Sequence, residues 1–290
     1  MSTSLLLSVA DLKDKLRDHV VVDGSWHMPA AGRDPLREFE ENGHIPGARY
    51  FDIEDIKDKT TTLPHMMPTA EQFAAQVGEL GISNDDHVVV YDTVGFSSAP
   101  RIYWMLKAFG HENVSVLNGG FKAWVAAGCP VEKGAAKITP KKYKVPELNL
   151  NRIKYYDQVL KLVTDKDNKV TIIDARPNAR FTGKAPEPRA GLSSGHMPGA
   201  KNVPFMELSD MQTGELYNDQ QLTEAFSRAG VNIQELRDNG SEVVLSCGSG
   251  VTASALYFAL EKLGLSNLAV FDGSWTEYAS RPESIIVKDN

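Results

Sequence analysis

Gly43-His44-Ile45-Pro46-Gly47-Ala48 and Gly195-His196-Met197-Pro198-Gly199-Ala200 are one motif written twice in the same chain. Working outward, each copy is preceded by an apolar β-branched run ending in aspartate: Val20-Val21-Val22-Asp23 and Val170-Thr171-Ile172-Ile173-Asp174. Asp23 to His44 is 21 positions and Asp174 to His196 is 22. Downstream, Val88–Asp92 matches Val243–Cys247, and Val116-Leu117-Asn118-Gly119-Gly120 matches Val270-Phe271-Asp272-Gly273-Ser274. The intervals Gly110 to Gly119 and Gly264 to Gly273 are both 9. So many motifs in one order at matched spacings indicate a duplicated domain rather than a solenoid of short repeats.

Each copy alternates strand-like runs with helical periods. Val20–Asp23, Val88–Asp92 and Val114–Leu117 pair with Val170–Asp174, Glu242–Ser246 and Leu268–Phe271. Continuous apolar runs of this length suit strands buried on both faces. Ala70–Leu80, Ala99–Phe109 and Thr252–Leu263 carry helical periodicity. The alternation predicts an α/β fold, each copy a mostly parallel sheet with helices on both faces. We place the domains at residues 1–130 and 151–290. Residues 131–150, with Pro140, Pro146 and five lysines from Lys133 to Lys144, are expected to be an extended linker with few apolar anchors.

The 290 residues are 42% hydrophobic and 24% charged, which excludes disordered, collagen-like and coiled-coil classes. A net charge of -7 leaves no basic surplus for phosphates, so neither nucleic acid nor an anionic membrane is expected as a partner. Two cysteines cannot build a disulfide framework or a four-thiolate metal site. Leu5-Leu6-Leu7 is too short for a signal-peptide core, and the N-terminus lacks transit-peptide character. These readings favour a cytoplasmic enzyme, with the mitochondrial matrix as the alternative.

The copies diverge where ligands of open α/β sheets bind, beyond the carboxyl ends of the strands. The run Glu242–Ser246 leads into Cys247-Gly248-Ser249-Gly250-Val251-Thr252 and then a helix. Backbone N–H groups of such a loop and the helix dipole both favour a negative sulfur. Cys247 is therefore read as an accessible, oxidation-prone nucleophile. The first copy has Asp92 at this position. Cys129, in Gly128-Cys129-Pro130, reads as a small buried hydrophobe. A phosphatase loop would need an arginine six positions after its cysteine, and here that residue is Ala253.

The duplicated domain, the paired Gly-His-x-Pro-Gly-Ala motifs, the Cys247–Ala253 loop and Asp272-Gly273-Ser274-Trp275 resemble the rhodanese superfamily, and within it the 3-mercaptopyruvate sulfurtransferase branch. The resemblance spans essentially the whole chain. It implies two tandem rhodanese-like domains, only the second catalytic. It also implies transfer of sulfur from 3-mercaptopyruvate through a Cys247 persulfide to cyanide, a small thiol or thioredoxin, with release of pyruvate. No metal and no organic cofactor are implied. Gly248, Gly250, Val251 and Thr252 would complete the binding loop. Arg180 and Arg189 match two substrate-gripping arginines nine apart. The competing reading of either arginine is an ion pair with Glu187 or Asp174.

Ser249 matches a family serine acting with a histidine, here His65, and a carboxylate, here Asp52 or Glu54. Ser249 reads otherwise as a helix cap and His65 as an ordinary loop residue. His44, His196, Asp23 and Asp174 occur in both copies and are assigned to the fold. Trp275 is either a pocket wall or a core aromatic. Thiosulfate sulfurtransferases of the superfamily carry Cys-Arg-Lys-Gly-Val-Thr, whereas this chain has uncharged Gly248 and Ser249. A thiosulfate-preferring enzyme and a sulfur-carrier or adaptor protein are the two alternatives.

Overall fold

The computed structural model describes residues 4–289. These form two compact units, and the division does not follow sequence halves. The first unit is Met1–Asp58, Met67–Leu148 and Ser209–Leu216; the second is Lys59–Met66, Asn149–Leu208 and Tyr217–Asn290. Each unit thus takes in one eight-residue segment from the other half of the sequence.

The first unit holds strands β1 (Leu6–Leu7), β2 (Val20–Asp23), β3 (Arg49–Tyr50), β4 (Val88–Tyr91) and β5 (Val114–Leu117) in the order β1-β5-β4-β2-β3. The second holds β6 (Ile153–Lys154), β7 (Thr171–Asp174), β8 (Lys201–Asn202), β9 (Val243–Ser246) and β10 (Leu268–Phe271) in the order β6-β10-β9-β7-β8. All pairings are parallel. The central strands β4 and β9 are buried along their whole length, which is why their sequences do not alternate. The two-residue edge strands escaped the sequence reading because so short a run has no period.

Helices Ala99–Ala108 and Ala253–Lys262 follow the central strands, and the first is buried at all ten positions. Thr69 caps Ala70–Glu79 by accepting from the Gln72 N–H at 3.2 Å, and Asn218 and Gln221 form a capping box on Asp219–Arg228. Residues up to Leu148, including most of the segment read as a linker, belong to the first unit. Tyr143 is buried there against Phe73 and bonds His111 Nδ1 at 3.0 Å, an apolar anchor within an otherwise polar, lysine-rich stretch. The segment Ser209–Leu216 docks beside the Asp92 loop: a Cβ built on Gly95 would lie 2.4 Å from Gly214 Cα, so this approach requires glycine.

His44 and His196 play matching parts. Each Nδ1 meets a backbone carbonyl at 2.9 Å, that of Phe39 or Phe181, and each ring stacks on that phenylalanine. The strand-end aspartates are held differently. Asp23 accepts from Ser25 and Tyr91, and burial pushes its carboxyl up to about 6. In the second unit Ser246 replaces Tyr91 in register, and Arg176 forks onto Asp174 at 2.7 to 3.1 Å. Among the described residues no helix is long and apolar enough to cross a membrane, and no group of three or more metal-ligating side chains occurs.

Candidate active site

Cys247 is the first residue beyond β9. Its loop is strapped from behind by Ser274, Trp275 and Thr276. The Trp275 N–H donates to Cys247 O at 2.9 Å, and Thr276 donates to Gly248 O from N–H at 3.0 Å and from Oγ1 at 2.6 Å. In a planar trans peptide the carbonyl and the following N–H point in opposite directions. Holding these two carbonyls on Trp275 and Thr276 therefore turns the Gly248 and Ser249 N–H groups away from them. Gly250, at φ 79°, supplies the left-handed turn that brings the chain into the helix.

The first unit shows what such a loop does. There the Asp92 carboxylate accepts five backbone N–H bonds: from Val94 and Gly95 on Oδ1 and from Ser97, Ser98 and Ala99 on Oδ2, at 2.6 to 2.9 Å. The strand-end loop is an anion nest, filled in that unit by the chain's own carboxylate. In the second unit a sulfur stands at the same position. The residue Cys247 is 2% exposed, which corrects the expectation of an exposed thiol: the strap and the buried helix behind it enclose most of the residue. Cys129 is also buried, within the core of the first unit.

Two guanidinium groups converge on the loop. A Cβ built on Gly248 would lie 3.5 Å from Arg180 Nη2 and 3.5 Å from Arg189 Nη1. Arg180 also pairs with Glu187 at 2.5 Å, so the ion pair and the approach to the loop coexist. Glu187 is shared. It takes Arg176 Nη1 at 2.7 Å, while Arg176 itself is held by Asp174 and by Gly195 O and lies 4.0 Å from the Trp275 ring centroid. A buried chain of alternating charge thus runs from the end of β7 to Arg180. Trp275 is a fully buried core aromatic whose indole N–H donates to Ser193 O at 2.9 Å.

His65, in the exchanged segment, lies in the second unit and is buried; its Nδ1 is 3.0 Å from Ser249 Oγ. Ser249 is not the helix cap, since Thr252 occupies that position. Asp52 and Glu54 belong to the first unit. Glu54 accepts from the Trp26 indole at 3.0 Å and pairs with Lys57 at 2.7 Å. Asp52 accepts from the Glu54 N–H at 2.8 Å, and burial raises its carboxyl above the ordinary value. His65 and Ser274 are the two non-glycine residues with positive φ among the described residues, and both bond the cysteine loop.

The rhodanese-like domain model matches residues 8–127 and again 156–281. The chain belongs to the rhodanese family. It is 38% identical to a probable 3-mercaptopyruvate sulfurtransferase of Schizosaccharomyces pombe, over 96% of this chain and 93% of that one. It is also 38% identical to thiosulfate/3-mercaptopyruvate sulfurtransferase 1, mitochondrial, of Arabidopsis thaliana, over 96% of this chain and 76% of that one. The crystal structure of the Tum1 protein from Saccharomyces cerevisiae superposes with a TM-score of 0.89 at 30% identity, covering 98% of both chains. Residues that sequence reading did not assign to this rhodanese site are Arg176, Ser274 and Thr276. All three differ from their counterparts Ser25, Gly120 and Lys122 in the other repeat, the same kind of difference that singles out Cys247 against Asp92.

Proposed function

We propose that this rhodanese-family chain transfers the sulfur of 3-mercaptopyruvate through Cys247 to a thiophilic acceptor. The observation that carries the reading is the approach of Arg180 and Arg189 to Gly248, beside the only cysteine at a strand end among the described residues. The donor has a carboxylate and a neighbouring ketone, and planar guanidinium forks match both.

The Cys247 thiolate attacks the donor sulfur. The C–S bond breaks, its electron pair leaves as the pyruvate enolate, and a proton taken up at carbon gives pyruvate. Ser249 and His65, in hydrogen-bond contact, are placed to pass that proton or to polarise the ketone, with Asp52 or Glu54 as the proposed third member. The persulfide left on Cys247 lies in the loop of Gly248, Ser249, Gly250, Val251 and Thr252, of which Ser249, Gly250 and Thr252 correspond in the repeat to Val94, Gly95 and Ser97, three of the residues whose amides hold Asp92 in the other unit. A thiolate acceptor, from a small thiol or thioredoxin, attacks the outer sulfur and returns the Cys247 thiolate. We place this chemistry in the cytoplasm or the mitochondrial matrix, without metal or organic cofactor.

A preference for thiosulfate is the second reading, favoured by the Arabidopsis relative's double name. The uncharged Gly248-Ser249 pair weighs against it, because a dianion gains more from added cations. The deciding experiment compares pyruvate and sulfide release from 3-mercaptopyruvate with turnover of thiosulfate, in the parent and in Cys247→Ser. Mass spectrometry should find a gain of about 32 Da on Cys247 after donor alone. Equal pyruvate release by Cys247→Ser would end the proposal. A persulfide that no small thiol discharges would favour a sulfur-carrier or adaptor role.

A further inference from the structure

Ser274 is fully buried and sits at φ 48°, a left-handed conformation that a side chain disfavours. Its repeat counterpart is Gly120, at φ 56°, which adopts the same conformation without a Cβ. The backbone strap is common to both units: Phe121 N–H donates to Asp92 O at 3.0 Å, as Trp275 N–H donates to Cys247 O at 2.9 Å. What the second unit adds is the hydroxyl. Ser274 Oγ accepts from the Cys247 N–H at 3.2 Å and donates to Phe271 O at 2.8 Å.

We propose that Ser274 is a positioning residue for the nucleophile: its hydroxyl ties the Cys247 amide to the end of β10 and so sets the direction of the sulfur, and the strained backbone is retained for that bond. This rests on the reading of Cys247 as the nucleophile but not on the identity of the donor. Three observations support it. The serine stands only in the repeat that has the cysteine. The hydroxyl has both a donor and an acceptor partner, so its orientation is determined. The other strained non-glycine residue, His65, also bonds this loop, and strain gathered at one place in a fold marks a functional constraint.

The test compares Ser274→Gly and Ser274→Ala with the parent. Ser274→Gly removes the strain together with the hydroxyl, whereas Ser274→Ala keeps the strain and loses the hydroxyl. The readouts are the melting temperature, the pH profile of Cys247 alkylation by iodoacetamide, and kcat and KM for pyruvate release. We expect Ser274→Gly to melt at or above the parent temperature and Ser274→Ala to melt below it. Both should alkylate more slowly with a displaced pH profile, and both should lose about tenfold in kcat with KM changed less than about twofold. Parent-like alkylation and kcat in Ser274→Gly would overturn the proposal, as would failure of that variant to fold. Alkylation needs no sulfur donor: if the parent releases no pyruvate yet Ser274→Gly still alkylates about tenfold more slowly, the donor assignment fails and the positioning role stands.

Discussion

Glu187→Gln is the perturbation that best separates the site's electrostatics from its shape. The carboxylate is 3% exposed and bridges Arg176 at 2.7 Å and Arg180 at 2.5 Å. Glutamine keeps the volume and one acceptor oxygen, removes the charge, and turns an amide N–H group toward a cation. A buried charge stranded outright costs about 3–5 kcal/mol. Arg176 is not stranded, because Asp174 and Gly195 O still hold it. Its weakened bond is then worth about 1.5–3 kcal/mol. The contact of Arg180, whose side chain is 19% exposed, adds about 0.5–1 kcal/mol. The total is about 2–4 kcal/mol, or roughly 5–15 °C in the melting transition of the second unit. Arg180 also loses the anchor that aims it at Gly248, so KM for 3-mercaptopyruvate should rise by about tenfold while kcat changes less. Calorimetry and steady-state pyruvate release measure the two effects. Destabilisation under about 0.5 kcal/mol with an unchanged KM would refute the idea that Glu187 organises this charge chain.

The remaining predictions concern both units. Asp92→Ala removes the acceptor for five backbone N–H groups and should destabilise the first unit by at least about 4 kcal/mol, read by urea denaturation; a loss below about 1 kcal/mol would contradict the nest. Gly248→Arg brings a third cation into the space that Arg180 and Arg189 face, so the ratio of kcat/KM for thiosulfate to that for 3-mercaptopyruvate should increase. Burial holds the His87 imidazole down at about 4, so its stabilising contribution is complete above its unfolded value of 6.5 and is lost as pH falls through 4. His87→Gln should flatten stability measured by denaturation across that window. Asp23 runs the other way: with its folded value raised to about 6, its contribution is complete below 3.8 and is lost as pH rises through 6. Asp23→Asn should remove that slope in the same measurement.

The duplicated motif, the buried central strands and the strand-end place of Cys247 were legible because each is a local pattern: a repeat, a period, or a residue at the end of a run. Val20–Asp23 and Leu268–Phe271 coincide with their strands residue for residue, and Cys247 differs visibly from Asp92. Edge strands such as Leu6–Leu7 were not legible, since they become strands only by pairing with β5.

By itself the sequence determined that there are two related α/β domains, where their central strands lie, and which copy carries the sulfur. Those properties depend on neighbours along the chain. Tertiary structure alone decided that Lys59–Met66 packs with the second unit, that Arg176 joins Asp174 to the Glu187 carboxylate it shares with Arg180, and that the Ser274 hydroxyl reaches the cysteine amide. Whether such contacts join residues 7 or 27 positions apart, their strength comes from burial and orientation, which no linear pattern records.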